Sequence, residues 1–376
     1  MILTLALRNF SHDRLRSLVT IVGIVFAVVL LAVQLGLYAG ASRMITGAVD
    51  NAAADLWVMP FGTQSFDEGA PLLGPAERHQ VLAVEGVKAA TPLVVGFADW
   101  RRPDSATSSV VIVGADIETE SLRPWQISAG GMENLKEPDG VGVDRSYFEE
   151  LGIEGLGDLG HVEGERARVR LITDGIRSFT QSPYIFTTAR RARNMFGTGS
   201  QASTFLLVRT DTGASVANVR SEIAARLKTA EVLTPAEFRD RNLQQWLFNT
   251  GAGVALIGGA ILGLIVGTVI VSQTLYSSTK DHLREYATLR ALGSPSGYLY
   301  KVVITQAALC AVIGYTLGMF FAMLLVRASQ ETAIQIVVSP FLAIGLFMLT
   351  VGMAGIAAAA AIVKVMDIDP ASVFAR

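Results

Sequence analysis

The 376-residue sequence contains one cysteine, Cys310, which excludes an intramolecular disulfide framework and any zinc or iron–sulfur site built on several thiolates. Histidine is nearly as scarce. His12, His79, His161 and His282 lie far apart and form no HExxH or HxxxH pair. Charged side chains make up 17% of the chain, against about a quarter in an ordinary soluble domain. Thirty-one Lys and Arg against thirty-three Asp and Glu leave a formal charge of -2, so no global basic field exists to hold nucleic acid. What is abundant is apolar: 51% of residues are hydrophobic and the mean hydropathy is positive.

That excess is concentrated in four uncharged stretches, 17–42, 242–279, 302–326 and 332–363. Each exceeds the roughly 20 apolar residues needed to cross a bilayer core of about 30 Å. With polar flanks trimmed, the spans are expected near Leu18–Gly40, Gly253–Leu275, Val303–Leu325 and Phe341–Val363. Ala39-Gly40-Ala41 has the A-x-A form of a signal peptidase site, but the preceding apolar run is longer than a signal core of about 7 to 15 residues, so an uncleaved anchor is expected. With both termini inside, the cytoplasmic pieces hold Arg8, Arg14, Arg16, Lys280, Arg284, Arg290, Lys301, Lys364 and Arg376, while the short outer loop holds only Arg327. This obeys the positive-inside rule and puts the segment between spans one and two outside the cytoplasm, since a long domain is translocated largely regardless of its charge. Met1–Arg16, with Leu3, Leu7 and Phe10 on one face, is expected to lie as a short helix in the inner interface.

Between spans one and two the period changes from that of a helix to two. Ala167, Val169 and Leu171 alternate with Arg166, Arg168 and Arg170, a half-buried strand with a basic face. Further strands are expected at 55–59, 93–99, 110–115, 184–188 and 204–209, and helices from Pro75 to Val84, at 189–196 and at 214–228. Strand 204–209, helix 214–228 and a strand near Val232 form a compact sequential unit of the kind that commonly builds a ferredoxin-like lobe. Gly130-Gly131 and 151–160 read as loops. No GxSxG, paired catalytic acids or histidine–nucleophile arrangement occurs here. Arg190, Arg191 and Arg193 are read as a solvated helix face in preference to an anion site. Thr234-Pro235-Ala236-Glu237 forms a capping box, and the helix it opens is expected to continue unbroken into span two, with the segment after Gly40 as its partner.

Span two repeats Gly259, Gly263 and Gly267, and span three Gly314, Gly318 and Ala322, each four apart. Small residues at that spacing let helices approach closely in lipid. No span carries an ionisable residue at its centre, which disfavours an ion-coupled pump. The loop after span two offers another route for energy. Ser278 or Thr279 caps a helix with Asp281 in its first turn, and Gly293 and Pro295 stop it. Its apolar side chains Leu283, Tyr286, Leu289 and Leu292 suit a docking partner.

The run Glu285-Tyr286-Ala287-Thr288-Leu289-Arg290-Ala291-Leu292-Gly293 resembles the E-x-x-x-L-R/K-A-x-G signature of FtsX-like permease domains, and its extension back to Asp281 resembles DevC-type permeases. Leu5–Asn9, Gln34-Leu35-Gly36, Gly267–Tyr276 and Asp369-Pro370-Ala371 support this. The resemblance implies a MacB-like, type VII ABC permease: four transmembrane helices with a large mixed α/β periplasmic domain inserted between the first two. It identifies an ATPase-coupling helix carrying Asp281, Leu283, Arg284, Glu285, Tyr286, Thr288, Leu289, Arg290, Leu292 and Gly293, with Gly259, Gly263, Gly267, Gly314 and Gly318 as helix-packing residues. The implied pieces are an N-terminal helix (1–16), span one with the stalk start (17–41), the periplasmic domain (42–235), stalk and span two (236–276), and the coupling loop (277–301). Span three (302–326), a short periplasmic loop (327–340), span four (341–363) and a cytoplasmic tail (364–376) complete the order. The implied partners are a separate ABC ATPase subunit, a periplasmic membrane fusion adaptor, a TolC-type outer-membrane channel reached through it, a second copy in a homodimer, and membrane lipid. No cofactor is expected on this chain. It has no GxxxxGK[ST] loop, so ATP and Mg belong to the ATPase, and MacB's fused ATPase has no counterpart in the sixteen residues before span one. The implied task is export of a lipid, glycolipid or other hydrophobic substrate from a bacterial inner membrane. Lipoprotein release, or FtsX-like mechanotransmission to cell-wall hydrolases, keeps the fold and changes the task. A membrane-anchored sensor or enzyme without an ATPase partner is a further alternative.

Overall fold

A computed structural model describes residues 14–68, 72–119, 121–281, 296–332 and 334–366. In chain order the elements are α1 (Arg14–Asp50), β1 (Leu56–Pro60), α2 (Pro75–Leu82), β2 (Val87–Arg101), β3 (Thr107–Ala115), β4 (Ile127–Gly130), β5 (Gly140–Asp144), α3 (Phe148–Leu151), β6 (Leu159–Val162), β7 (Glu165–Thr173), β8 (Tyr184–Thr188), α4 (Ala189–Met195), β9 (Phe205–Thr210), α5 (Val216–Arg226), β10 (Ala230–Leu233), α6 (Pro235–Leu243), α7 (Ala252–Asp281), α8 (Ser296–Ala328) and α9 (Pro340–Met366). Two compact units result: a membrane unit up to Gly40 and from Gly253 onward, and an inserted unit, Ala41–Ala252. Of the expected interfacial helix, Met1–Asp13 lie outside the described residues, as does the tail beyond Met366; Arg14–Arg16 already belong to α1.

Among the described residues, four helices, α1, α7, α8 and α9, are long and apolar enough to cross a membrane. Helix α1 has 37 residues, about 55 Å at 1.5 Å per residue, well beyond a bilayer core of about 30 Å. It passes without a break through Ala39-Gly40-Ala41, and its last ten residues belong to the inserted unit. Its end is closed locally: Thr46 Oγ1 donates to Asp50 Oδ2 at 2.7 Å, and Asn51 Nδ2 donates to the Gly47 carbonyl at 2.8 Å.

The inserted unit is one mixed sheet with two lobes. Strands β10, β1, β9 and the first half of β2 lie side by side in that order, all antiparallel. With α2 between β1 and β2, and α5 between β9 and β10, this is a ferredoxin-like arrangement split by a long insertion. The anticipated unit, β9-α5-β10, is present but makes only half of the lobe; the other half, β1-α2-β2, lies more than a hundred residues earlier in the chain. Period-two alternation explains the two cores. Leu56 and Val58 face α2 and α5 with Val81, Val219 and Ile223. Trp57 faces the other way, 5.0 Å from the Phe238 ring of α6 and 5.5 Å from Phe205. Ala48 and Val49 of α1 join that second core, and Arg239 of α6 pairs with Asp50 at 3.0 Å. The segment after Gly40 is thus the partner of α6.

The second lobe continues from the far half of β2 through β3, β8, β5, β7 and β4, with β6 bridging β2 and β7. Three of these strands fall in the Gly-rich middle of the chain, where β4 and β6 occupy stretches expected to be loops. Packing is the reason. A Cβ at Gly142 would stand 3.0 Å from Leu171 Cδ2, and one at Gly160 would run into the Trp100 ring. These glycines make room for large neighbours within a sheet, and glycine in a strand marks such close approach as readily as a turn. Two of the three arginines on the basic face of β7 are paired: Arg168 with Asp139 at 3.0 Å and Arg170 with Glu137 at 2.5 Å.

Helix α6 has the expected capping box, Glu237 N donating to Thr234 Oγ1 at 3.3 Å and Thr234 N to Glu237 Oε2 at 2.9 Å. It does not continue into span two. Residues Gln244–Asn249 form a π-helical turn, and Gly251 adopts φ +80° before α7 starts at Ala252. Glycine in the left-handed region is a common helix stop, so the rod expected to join the inserted domain to span two is interrupted.

The two lobes part at one side chain. Where β9 leaves β2, the buried Thr204 Oγ1 accepts from Val95 N at 3.0 Å and donates to Val95 O at 2.9 Å, standing in for a ladder partner. Thr204→Val leaves both groups unpaired in the core, and each costs about 1–3 kcal/mol. Thermal unfolding in detergent, followed by tryptophan fluorescence, is expected to show a loss of several degrees for Thr204→Val and a much smaller one for Thr204→Ser; equal losses contradict this role.

Candidate functional site

Both glycine stripes of the membrane unit meet the same helix. A Cβ at Gly263 would stand 2.8 Å from Leu30 Cδ2, at Gly267 2.6 Å from Ala27 Cβ, and at Gly259 2.7 Å from Gln34 Nε2. On α8, Gly314 faces Ile24 at 2.5 Å and Gly318 faces Val28 at 2.8 Å. Helix α1 contributes small residues of its own: Gly23 lies against Ile270, and Gly36 against Ile336, where Val337 N donates to the Gly36 carbonyl at 3.0 Å. Ile24, Ala27 and Val28 are fully buried, packed with Val271, Ala311, Met353 and Ala357. The central place of α1 was missed from sequence, although Gly23-x-x-x-Ala27 and Gly36-x-x-x-Gly40 carry the same spacing signal.

Polar groups within the spans are satisfied at short range, as lipid requires. Tyr315 Oη donates to the Ala343 carbonyl at 2.8 Å, and Thr268, Thr274 and Thr350 each donate to the carbonyl four residues back. At the end of span two, the expectation that Ser278 or Thr279 caps a new helix is corrected. Helix α7 runs through both to Asp281. Thr279 Oγ1 donates to Leu275 O at 2.7 Å, and Ser278 Oγ accepts from Gln306 Nε2 of α8 at 3.4 Å, so the two hydroxyls serve helix packing. Asp281 is exposed at the end of α7. Leu283, Arg284, Glu285, Tyr286, Thr288, Leu289, Arg290, Leu292 and Gly293 lie outside the described residues.

In the inserted unit the three arginines of α4 part ways, neither a joint anion site nor a solvated face. Arg191 is buried and donates to the carbonyls of Gly140 and Arg166, tying β5 to β7. Burial lowers its pKa, although a guanidinium stays charged. Arg193 Nε donates to Ala202 O at 2.6 Å. Arg190 is exposed and, with Arg193, Asp116, Glu118 and Lys136, lines a shallow cleft of about 360 Å³ with charges of both signs. No group of three or more metal-ligating side chains occurs among the described residues.

One buried acid stands out. Asp67 is 4% exposed and accepts a 2.6 Å hydrogen bond from Tyr184 Oη. Burial pushes its pKa up to about 6, the tyrosine bond opposing only in part. Its neighbour Phe66 donates its N–H to Asn242 Oδ1 of α6 at 2.7 Å, so the acid sits in the loop that packs on α6.

Known proteins resemble the chain over both units. The family model described as MacB-like periplasmic core domain matches residues 17–226, and that described as FtsX-like permease C-terminal matches 257–370. An uncharacterised ABC transporter permease of Mycobacterium tuberculosis (strain ATCC 25618 / H37Rv) is 23% identical over 371 residues, covering 98% of each chain. One from Methanocaldococcus jannaschii is 21% identical over 350 residues, covering 88% of this chain and 85% of the other. Among solved structures, the periplasmic region of MacB from Actinobacillus actinomycetemcomitans is 10% identical with a TM-score of 0.38, covering 51% of this chain and 94% of that one. The extracellular domain of the noncanonic ABC-type transporter YknZ from Gram-positive bacteria is 13% identical with a TM-score of 0.35, covering 48% and 99%.

Two measurements test this geometry. Gly267→Val forces two branches into α1 and Met353, and overpacking of this kind costs about 1–3 kcal/mol; Gly258→Ala, at a position with open space around it, is expected to leave the unfolding temperature in detergent unchanged. Asp67, with a folded pKa of about 6 against an ordinary 3.8, binds more protons folded than unfolded between those values. Its contribution is therefore full below about pH 4 and lost as pH rises through 6, about 3 kcal/mol in all. The stability of Asp67→Asn minus that of wild type is expected to grow from pH 4 to pH 7; a difference that does not vary with pH rejects the assignment.

Proposed function

The chain belongs to the MacB-like, FtsX-like permease family of ABC transporters, and from that membership we propose that it is the membrane subunit of an ATP-driven export complex with a separate ATPase subunit. ATP and Mg are held by that partner, because this sequence has no GxxxxGK[ST] loop. The coupling helix, Asp281–Gly293, docks on the ATPase. Closure of the ATPase pair moves that helix, and the motion passes through α7 and α8 to α1, on which both pack. The observation that carries this reading is the continuity of α1: one 37-residue helix joins the packing core of the spans to the core of the inserted domain, whereas the second link is interrupted at Gly251. Mechanical work is thus led into the inserted domain along α1, while Gly251 acts as a hinge.

The DevC-like motif supports the finer reading, in which a homodimer in a bacterial inner membrane, with both termini cytoplasmic, works with a periplasmic membrane fusion adaptor and a TolC-type channel to export a lipid, glycolipid or other hydrophobic substrate. Mass spectrometry of co-purified proteins tests the assembly. An adaptor supports export, whereas a lipoprotein or a hydrolase regulator redirects the task to lipoprotein release or pure mechanotransmission.

Glu285→Arg, Tyr286→Ala and Leu289→Ala are expected to cut the co-purified ATPase and its stimulated activity about tenfold or more, the loss of at least about 1.4 kcal/mol of docking free energy. Wild-type yield and activity in all three variants overturn the coupling assignment.

A further inference from the structure

The π-helical turn Gln244–Asn249 carries two aromatic side chains, Trp246 and Phe248, for which the proposed export mechanism has no use. Leu247 points into the core and is fully buried, while its neighbours Trp246 and Phe248 do not follow it: Trp246 is half-buried and Phe248 is 44% exposed. Phe179, from the loop between β7 and β8, packs on Trp246 with ring centroids 5.9 Å apart. The polar side chains of the same turn bond to one another, Asn249 Nδ2 donating to Gln245 Oε1 at 2.8 Å.

Covalent distance places this cluster. Trp246 and Phe248 precede the first residue of α7, Ala252, by six and four positions. Even a fully extended chain allows them no more than about 20 Å and about 14 Å from it, and a helical turn keeps them nearer still. The headgroup region adds about 5–8 Å on each side of the hydrocarbon core. Half-exposed Trp and Phe are poorly placed facing water, but an amphipathic indole packed on a phenylalanine, with a second exposed phenylalanine two residues on, is a composition that suits a membrane–water interface.

We propose that Phe179, Trp246 and Phe248 form a lipid-contacting element that holds the inserted domain in the headgroup region of the adjoining leaflet. Phe179 makes the loop 174–183 part of the membrane surface, although it is more than sixty residues from any span in sequence. The partner is the acyl–headgroup boundary of the lipid itself, and the element works whichever substrate the complex moves.

The test uses the full chain in nanodiscs of phosphatidylcholine and phosphatidylglycerol, with ordinary or brominated acyl chains. Subtracting the emission of Trp246→Phe from wild type isolates Trp246 from the buried Trp57 and Trp100 and from Trp125. That component is expected to lose more than half its intensity to brominated lipid and little to aqueous iodide, and Phe179→Ser is expected to reduce the bromine quenching about twofold. Equal intensity in both discs overturns the proposal, whether iodide reaches the indole, as in water, or not, as under a protein partner. A second measurement stands apart from Trp246: a nitroxide on Phe248→Cys, with the buried Cys310 unlabelled, is expected to be more accessible to oxygen than to a water-soluble nickel chelate, and the reverse order rejects lipid contact.

Discussion

Everything in the membrane unit depends on how closely other backbones approach α1. Lipid tails are as apolar as leucine, so helices in a bilayer gain little by hiding apolar surface from one another and are held by packing and short polar contacts. Gly263 and Gly267 of α7 and Gly314 and Gly318 of α8 remove the side chains that would hold those helices off α1. The segment after α8 uses the same device in reverse, lying on Gly36 and Gly40 of α1 itself. A branched side chain at any of these points separates two helices rather than filling a void, because interiors packed to this density leave no slack.

The inserted unit solves the opposite problem, since it is built in water around ordinary hydrophobic cores. Its frame is β2, long enough at fifteen residues to serve two lobes, with Thr204 closing the point where they diverge. The two covalent routes that join this unit to the membrane unit differ in kind. One is the continuous helix α1, whose last turns enter the core around Trp57 and Phe238. The other passes through a π-helical turn and a glycine at positive φ, and π-turns and left-handed glycines are where a helix bends or stops.

Asp67 is the buried acid with the raised pKa, yet it bonds to a tyrosine inside the sheet core and belongs to no metal-ligating cluster among the described residues. Arg191 holds two strands together. Perturbed titration here reflects burial, which structural groups share with catalytic ones.

The four spans, the capping box at Thr234 and the strands with clean alternation were legible in sequence because their causes are local: hydropathy over about 20 residues, one side chain bonding its own helix terminus, a period of two. The spacing of the glycine stripes was local too, which is why they could be named as packing surfaces, but their shared partner was not, since spacing says that a helix approaches and not which one. The strands at Gly142 and Gly160 were hidden because their glycines answer to Leu171 and Trp100, side chains distant in the chain. Gly251 lies in a stretch that the sequence presents as unbroken helix running into span two, and only its φ of +80° reveals the stop. Sequence alone determined that this chain lives partly in lipid and folds a large domain beside it, because solvent preference is a sum over single residues. Tertiary structure decided which helix the other spans pack on and which strands share a sheet, because those depend on pairs of residues meeting across the fold.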